Sequence, residues 1–135
     1  MEDAHAFANA VWNGDETSVA TTLSTSTDLD SLTLSDYLHS AIEGLQLGVV
    51  EQLIMAGADI NCSHTQHWTI TPLMHAIDSE SDHACQTNIP SENISLQITT
   101  LLLVSGAVIT PETQHWANQS YGGNKILALF STYHT

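Results

Sequence analysis

Cysteines and histidines crowd the middle of the chain at spacings that invite a metal ion. Cys62-x-His64-x-x-His67 falls within one short segment, and His75, His83 and Cys85 follow. Thiolate sulfur and imidazole nitrogen are ordinary zinc ligands, but a structural zinc site presents two matched ligand couples, and this pattern does not. No metal and no other cofactor is therefore expected. Ser, Thr, His and Asp are so frequent that a nucleophilic triad can be drawn almost anywhere. Yet there is no Gly-x-Ser-x-Gly elbow, no His-Glu-x-x-His and no kinase signature. Catalysis is not expected.

The elements that must carry these residues show themselves as a repeat. Leu38-His39-Ser40-Ala41 opens an apolar run that ends in Gly57-Ala58-Asp59-Ile60-Asn61. Thr71-Pro72-Leu73 begins a second copy, which closes at Ser105-Gly106-Ala107-Val108. Val49, Val50, Leu53 and Ile54 have helical spacing, as do Ile98, Leu101, Leu102 and Leu103. Thr71 suits a helix N-cap and Pro72 the first helical position, where no N–H is needed. Thr110-Pro111-Glu112 repeats that start signal, with an acid near the positive end of the helix dipole. Gly57 and Gly106 stand where a left-handed residue would end a helix. A unit of this kind cannot bury its apolar face alone, so neighbouring units must stack.

The TPLHxA-like start, the two helices and the GADxN-like close resemble the ankyrin repeat. The resemblance implies an all-α ankyrin-repeat solenoid of stacked helix-turn-helix units joined by finger loops. Sliding the unit back by roughly 31 residues sets Ala41 on Ala10, Val50 on Val19, Ile54 on Leu23, Asp59 on Asp28 and Asn61 on Asp30. This marks a degenerate first copy in which Ser26 replaces the closing glycine. The expected layout is one domain over residues 1–135, with repeats at about 4–31, 32–62 and 67–109 and a C-terminal cap at 110–134. The third repeat is expected to carry an insertion at 80–94, its first helix ending near Ser79 and its second resuming near Ser95. In such an array the finger and the insertion lie at opposite edges, which separates the two Cys/His groups. His39 takes the place of the TPLH histidine, which in this family bonds locally to backbone. Asp28 and Asp30 fall where the repeat itself calls for Asp or Asn.

Charge narrows the partners. One Lys or Arg stands against 15 Asp and Glu, a net charge of −14. The one cation, Lys125, cannot neutralise a phosphate backbone, so nucleic acid is excluded as a partner. Anionic membrane surfaces would repel the chain. No apolar run reaches the roughly 18 residues that span a bilayer, and the N-terminus does not read as a signal peptide. Cys62 and Cys85 make no disulfide framework and are expected as reduced thiols in the cytoplasm. The sequons at Asn93 and Asn118 are then chance matches.

The family usually binds proteins through its first helices and fingers, which line a concave face. The repeat register places Trp12, Glu43 and Asp78 in one first-helix column and Asn9, Ser40 and His75 in the next. Trp68 lies in the long loop from Asn61 to Ile70. These seven residues are the expected partner-binding set, with an aromatic anchor among acids. The expected function is an acidic inhibitor or immunity-type protein, a monomer on its own, that occludes a basic protein or enzyme. The alternative is an adaptor or secreted bacterial effector that recruits a host protein through the same face.

Overall fold

The computed structural model describes residues 2–26, 29–65 and 67–133, and over these the chain is all-α, with no strand. Asp28, aligned above with Asp59, lies outside the described residues. The helices are α1 (Glu2–Asn13), α2 (Glu16–Thr25), α3 (Ser31–Glu43), α4 (Leu47–Met55), α5 (Pro72–Gln86), α6 (Gln97–Val104), α7 (Pro111–Gln119) and α8 (Gly123–Tyr133). A single 3-10 turn spans Ser91–Asn93.

Side-chain caps start four of these helices. Asp15, Asp30, Thr71 and Thr110 accept from the backbone N–H three residues on, as the orphan donors of a first turn require. At the other end, α4 and α6 stop in the same way. Gly57 and Gly106 both hold φ +106°, and Ala58 and Ala107 donate back to Leu53 and Leu102 at 3.1 and 2.9 Å. Two separate stretches of sequence thus build one motif, and its left-handed residue favours glycine. Ser26 closes α2 differently, in an extended conformation at φ −86°, ψ 138°.

The helices pack as four consecutive pairs in two layers. Within the pairs α1 meets α2, α3 meets α4, α5 meets α6, and α7 meets α8. Across them the first helices α1, α3, α5 and α7 contact in series, and so do the second helices α2, α4, α6 and α8. Most of the apolar residues read from sequence lie between the layers: Val49, Val50, Leu53, Ile98, Leu102 and Leu103 are buried, Ile54 and Leu101 are half-buried against them, and Leu38, Ala41, Ile42, Ala76 and Ile77 complete the core. Loops are tied across pairs as well. Asn61 donates from Nδ2 to the Gly106 carbonyl and accepts at Oδ1 from the Val108 N–H at 2.8 Å.

The 80–94 segment departs from expectation. Its first residues are helix: α5 runs on to Gln86, well past Ser79. The reason is a buried stripe, because Ile77, Glu80, Ser81 and Ala84 recur at helical spacing and all face inward. The acidic run around Ser79 to Asp82 disguised that face in the sequence. Glu80 also has a structural duty. α6 begins without a side-chain cap of its own, and the Glu80 carboxylate receives the Ile98 and Thr99 N–H groups at 2.8 and 2.9 Å and the Thr99 hydroxyl at 2.7 Å. Burial pushes the Glu80 carboxyl above its ordinary range, against the downward pull of those three donors.

Candidate functional site

The first-helix layer divides the expected residues into an open part and a closed part. Trp12, near the end of α1, is 50% exposed, and its ring is free to be covered by a partner. Its backbone carbonyl accepts from the Gln46 amide at 2.9 Å, which fixes the end of α1 against the turn that follows α3. Asn9 and Glu43 are exposed, and Ser40 is half-buried.

His75 does not belong to that surface: it is buried at the start of α5. Its Nδ1 meets Nδ1 of His39 at 2.8 Å, and the indole of Trp68 packs on both rings, with centroids 5.5 Å from His39 and 4.5 Å from His75. Burial holds both imidazoles down to about pKa 4, and His75 adds to the effect at His39. The expectation that His75 forms an accessible column with Asn9 and Ser40 is therefore corrected, since Trp68 packs over it.

Asp36 holds that loop down. Its carboxylate accepts from the Thr65 hydroxyl at 2.6 Å and the His67 N–H at 3.2 Å, and it pairs with the His67 ring. Burial works to raise the Asp36 carboxyl, but these partners together hold it below its usual range. Trp68 is thus a half-buried lid over the two histidines and serves the fold first.

Three members of the Cys/His cluster in the middle of the chain are engaged in other ways. Cys62 Sγ lies 2.8 Å from the His64 carbonyl, His67 pairs with Asp36, and His75 pairs with His39. Among the described residues no group of three or more His, Cys, Asp or Glu side chains is placed to hold a metal ion. Both cysteines are free thiols.

Asp78 is half-buried, and its Oδ1 accepts from the indole N–H of Trp116 on α7 at 3.0 Å. Burial raises its carboxyl, the Trp116 bond opposes this, and the nearby Asp82 adds to the rise. The aromatic partner was missed in the sequence. Aligning Thr110-Pro111 on Thr71-Pro72 would have set Trp116 one place from the Asp78 register.

Lys125, the sole cation, lies elsewhere and donates to the Ile94 carbonyl at 2.6 Å. No helix among the described residues is long and apolar enough to cross a membrane. No family model, curated protein or solved structure matches the chain.

Proposed function

We propose that the chain is a short ankyrin-type array that works by covering a basic protein, as an inhibitor or immunity-type partner acting in the cytoplasm. The observation that carries this reading is charge without countercharge. Fifteen acids face one lysine, and that lysine is tied to a backbone carbonyl. Such a field steers a cationic partner and rejects anionic ones. The ankyrin reading is supported by the paired helices in two layers, by the matched ends at Gly57 and Gly106, and by the Asn61 link between successive loops.

Binding falls to the open first-helix residues Trp12, Asn9, Ser40 and Glu43, with Asp78 at the far end of the same layer. No catalytic role is assigned to any of them. The test is affinity capture with the full chain as bait at low and high salt, followed by reconstitution with the purified partner. The expected result is a basic protein that is released by salt and whose activity falls when the complex forms. A salt-insensitive complex with an acidic protein would overturn the reading, and a partner bound without loss of its activity would favour recruitment over occlusion.

A further inference from the structure

A groove of about 470 Å³ runs between α5 and α7, lined by Asp78, Ser81, Asp82, His115, Trp116 and Tyr121 among others. Three of its features point the same way. Asp78 and Asp82 are like charges one helical turn apart, an arrangement that disfavours the helix unless something offsets it. No Lys or Arg does so, because the one lysine, Lys125, is engaged at Ile94. Facing these acids are two aromatic residues: Trp116, whose N–H is already held by Asp78, and Tyr121, which is 37% exposed and whose hydroxyl is anchored on the Ile89 carbonyl.

Ser81 adds an independent sign. It lies between the two acids in sequence and is 2% exposed, yet its hydroxyl has no hydrogen-bond partner among the described residues. A serine inside a helix can bond back to the carbonyl four residues earlier. Here that bond is not made, and a buried hydroxyl at the groove keeps both its donor and its acceptor capacity in reserve.

We propose that this groove is the anchor pocket for an arginine side chain of the basic partner, with Asp78 and Asp82 pairing its guanidinium and Trp116 and Tyr121 stacking on its flat faces. Arginine fits better than lysine for two reasons. A planar fork of donors can serve two carboxylates and a hydroxyl at once, and it is weakly hydrated enough to stack on rings. An aromatic face also attracts the cation directly. The larger groove between α6 and α8, about 660 Å³, has no such acids, and its lysine is already used. The pocket rests on the basic-partner reading above and names the group by which that partner would be gripped.

The test uses the full chain and N-acetyl-arginine amide as the probe. The indole N–H signals of Trp12, Trp68 and Trp116 are followed in nitrogen–proton correlation spectra and assigned with single Trp→Phe variants. The Trp116 signal should shift and saturate, while the signals of Trp12 and Trp68 stay in place. The neutral isostere N-acetyl-citrulline amide should leave Trp116 unmoved, and Asp82→Asn should weaken the arginine response about tenfold. An unmoved Trp116 signal at tens of millimolar probe overturns the pocket. So does an equal response to citrulline, whereas an equal response to N-acetyl-lysine amide overturns the choice of arginine. If the pocket fails but the occlusion reading holds, the captured partner will still respond to Glu43→Lys and will be indifferent to Asp82→Asn.

Discussion

His39 and His75 meet through their Nδ1 atoms at 2.8 Å beneath the indole of Trp68. Two nitrogens at that distance share one proton, so the rings must be in opposite tautomers. His39 Nε2 is buried with no partner among the described residues, and a bare lone pair there costs less than an unsatisfied N–H. His39 is therefore the Nδ1–H donor and His75 the acceptor. The contact joins α3 to α5, and Trp68 covers it.

The first prediction follows from burial of this pair in the neutral form. Both histidines titrate near 4 in the folded chain against an ordinary 6.5. Between those values the unfolded chain binds more protons, so stability is complete above about pH 6.5 and is lost as pH falls toward 4. The slope should approach about 1.4 kcal/mol per pH unit for each titrating histidine. Glu80 and Asp78, whose carboxyls are raised, act in the opposite sense above their ordinary range, and so reduce the net slope. Urea midpoints between pH 7.5 and 4.5 check this. The wild-type curve should fall more steeply than that of His39→Leu/His75→Leu, and parallel curves would refute the neutral buried pair.

Glu80 should prove to be the cap that α6 lacks. Glu80→Ala strands two backbone N–H groups and the Thr99 hydroxyl in a buried place and should cost on the order of 2–3 kcal/mol. Glu80→Gln keeps one acceptor oxygen and should cost less. Amide hydrogen exchange at Ile98 and Thr99 should rise most in the alanine variant. Unchanged protection there would mean that α6 starts without help from α5.

The repeat register makes a separate prediction. Leu53 is fully buried between the helix layers, so Leu53→Ala should lower stability by about 2–5 kcal/mol. Around Gly57 nothing lies within 4 Å of where a Cβ would be, so the obstacle to a side chain is backbone conformation alone. Gly57→Val should therefore cost more than Gly57→Ala, because a β-branched residue resists positive φ most. Equal denaturant midpoints for both variants and wild type would refute this account of the helix end.

Much of the fold was legible because helix starts and stops are local chemistry. Thr71-Pro72 and Thr110-Pro111 announce first turns, and Gly57 and Gly106 announce last ones. The length of α5 was not legible, because a carboxylate at position 80 reads as solvent-facing until its acceptors' partners on α6 are known. For the same reason His75 read as a surface residue. Its burial depends on Trp68, which returns from a loop whose path is set by Asp36. The Asp78–Trp116 contact joins two helix pairs, α5/α6 and α7/α8, whose spacing in sequence the length of α5 had blurred.

Charge and grip should separate in the kinetics of partner binding. Glu43 is exposed on α3, and Asp82 is exposed on the extended part of α5. Asp78 is the poorer site for charge reversal, since its carboxylate holds Trp116 and its loss would disturb packing. Glu43→Lys/Asp82→Lys should keep the fold and slow association, because like charges then face a cationic partner, and the loss of Asp82 from the α5–α7 groove should speed dissociation as well. Added salt should slow wild-type association too, as exposed charges are screened beyond about 8–10 Å at physiological strength. Trp12→Ala removes a half-exposed ring without touching the field, so it should speed dissociation and cost about 2 kcal/mol or more if that ring is the anchor. Surface-based binding kinetics over a salt series measure both terms. Normal association by the double-lysine variant, with no effect of salt, would leave the acidity a matter of solubility and would move the binding site off this layer.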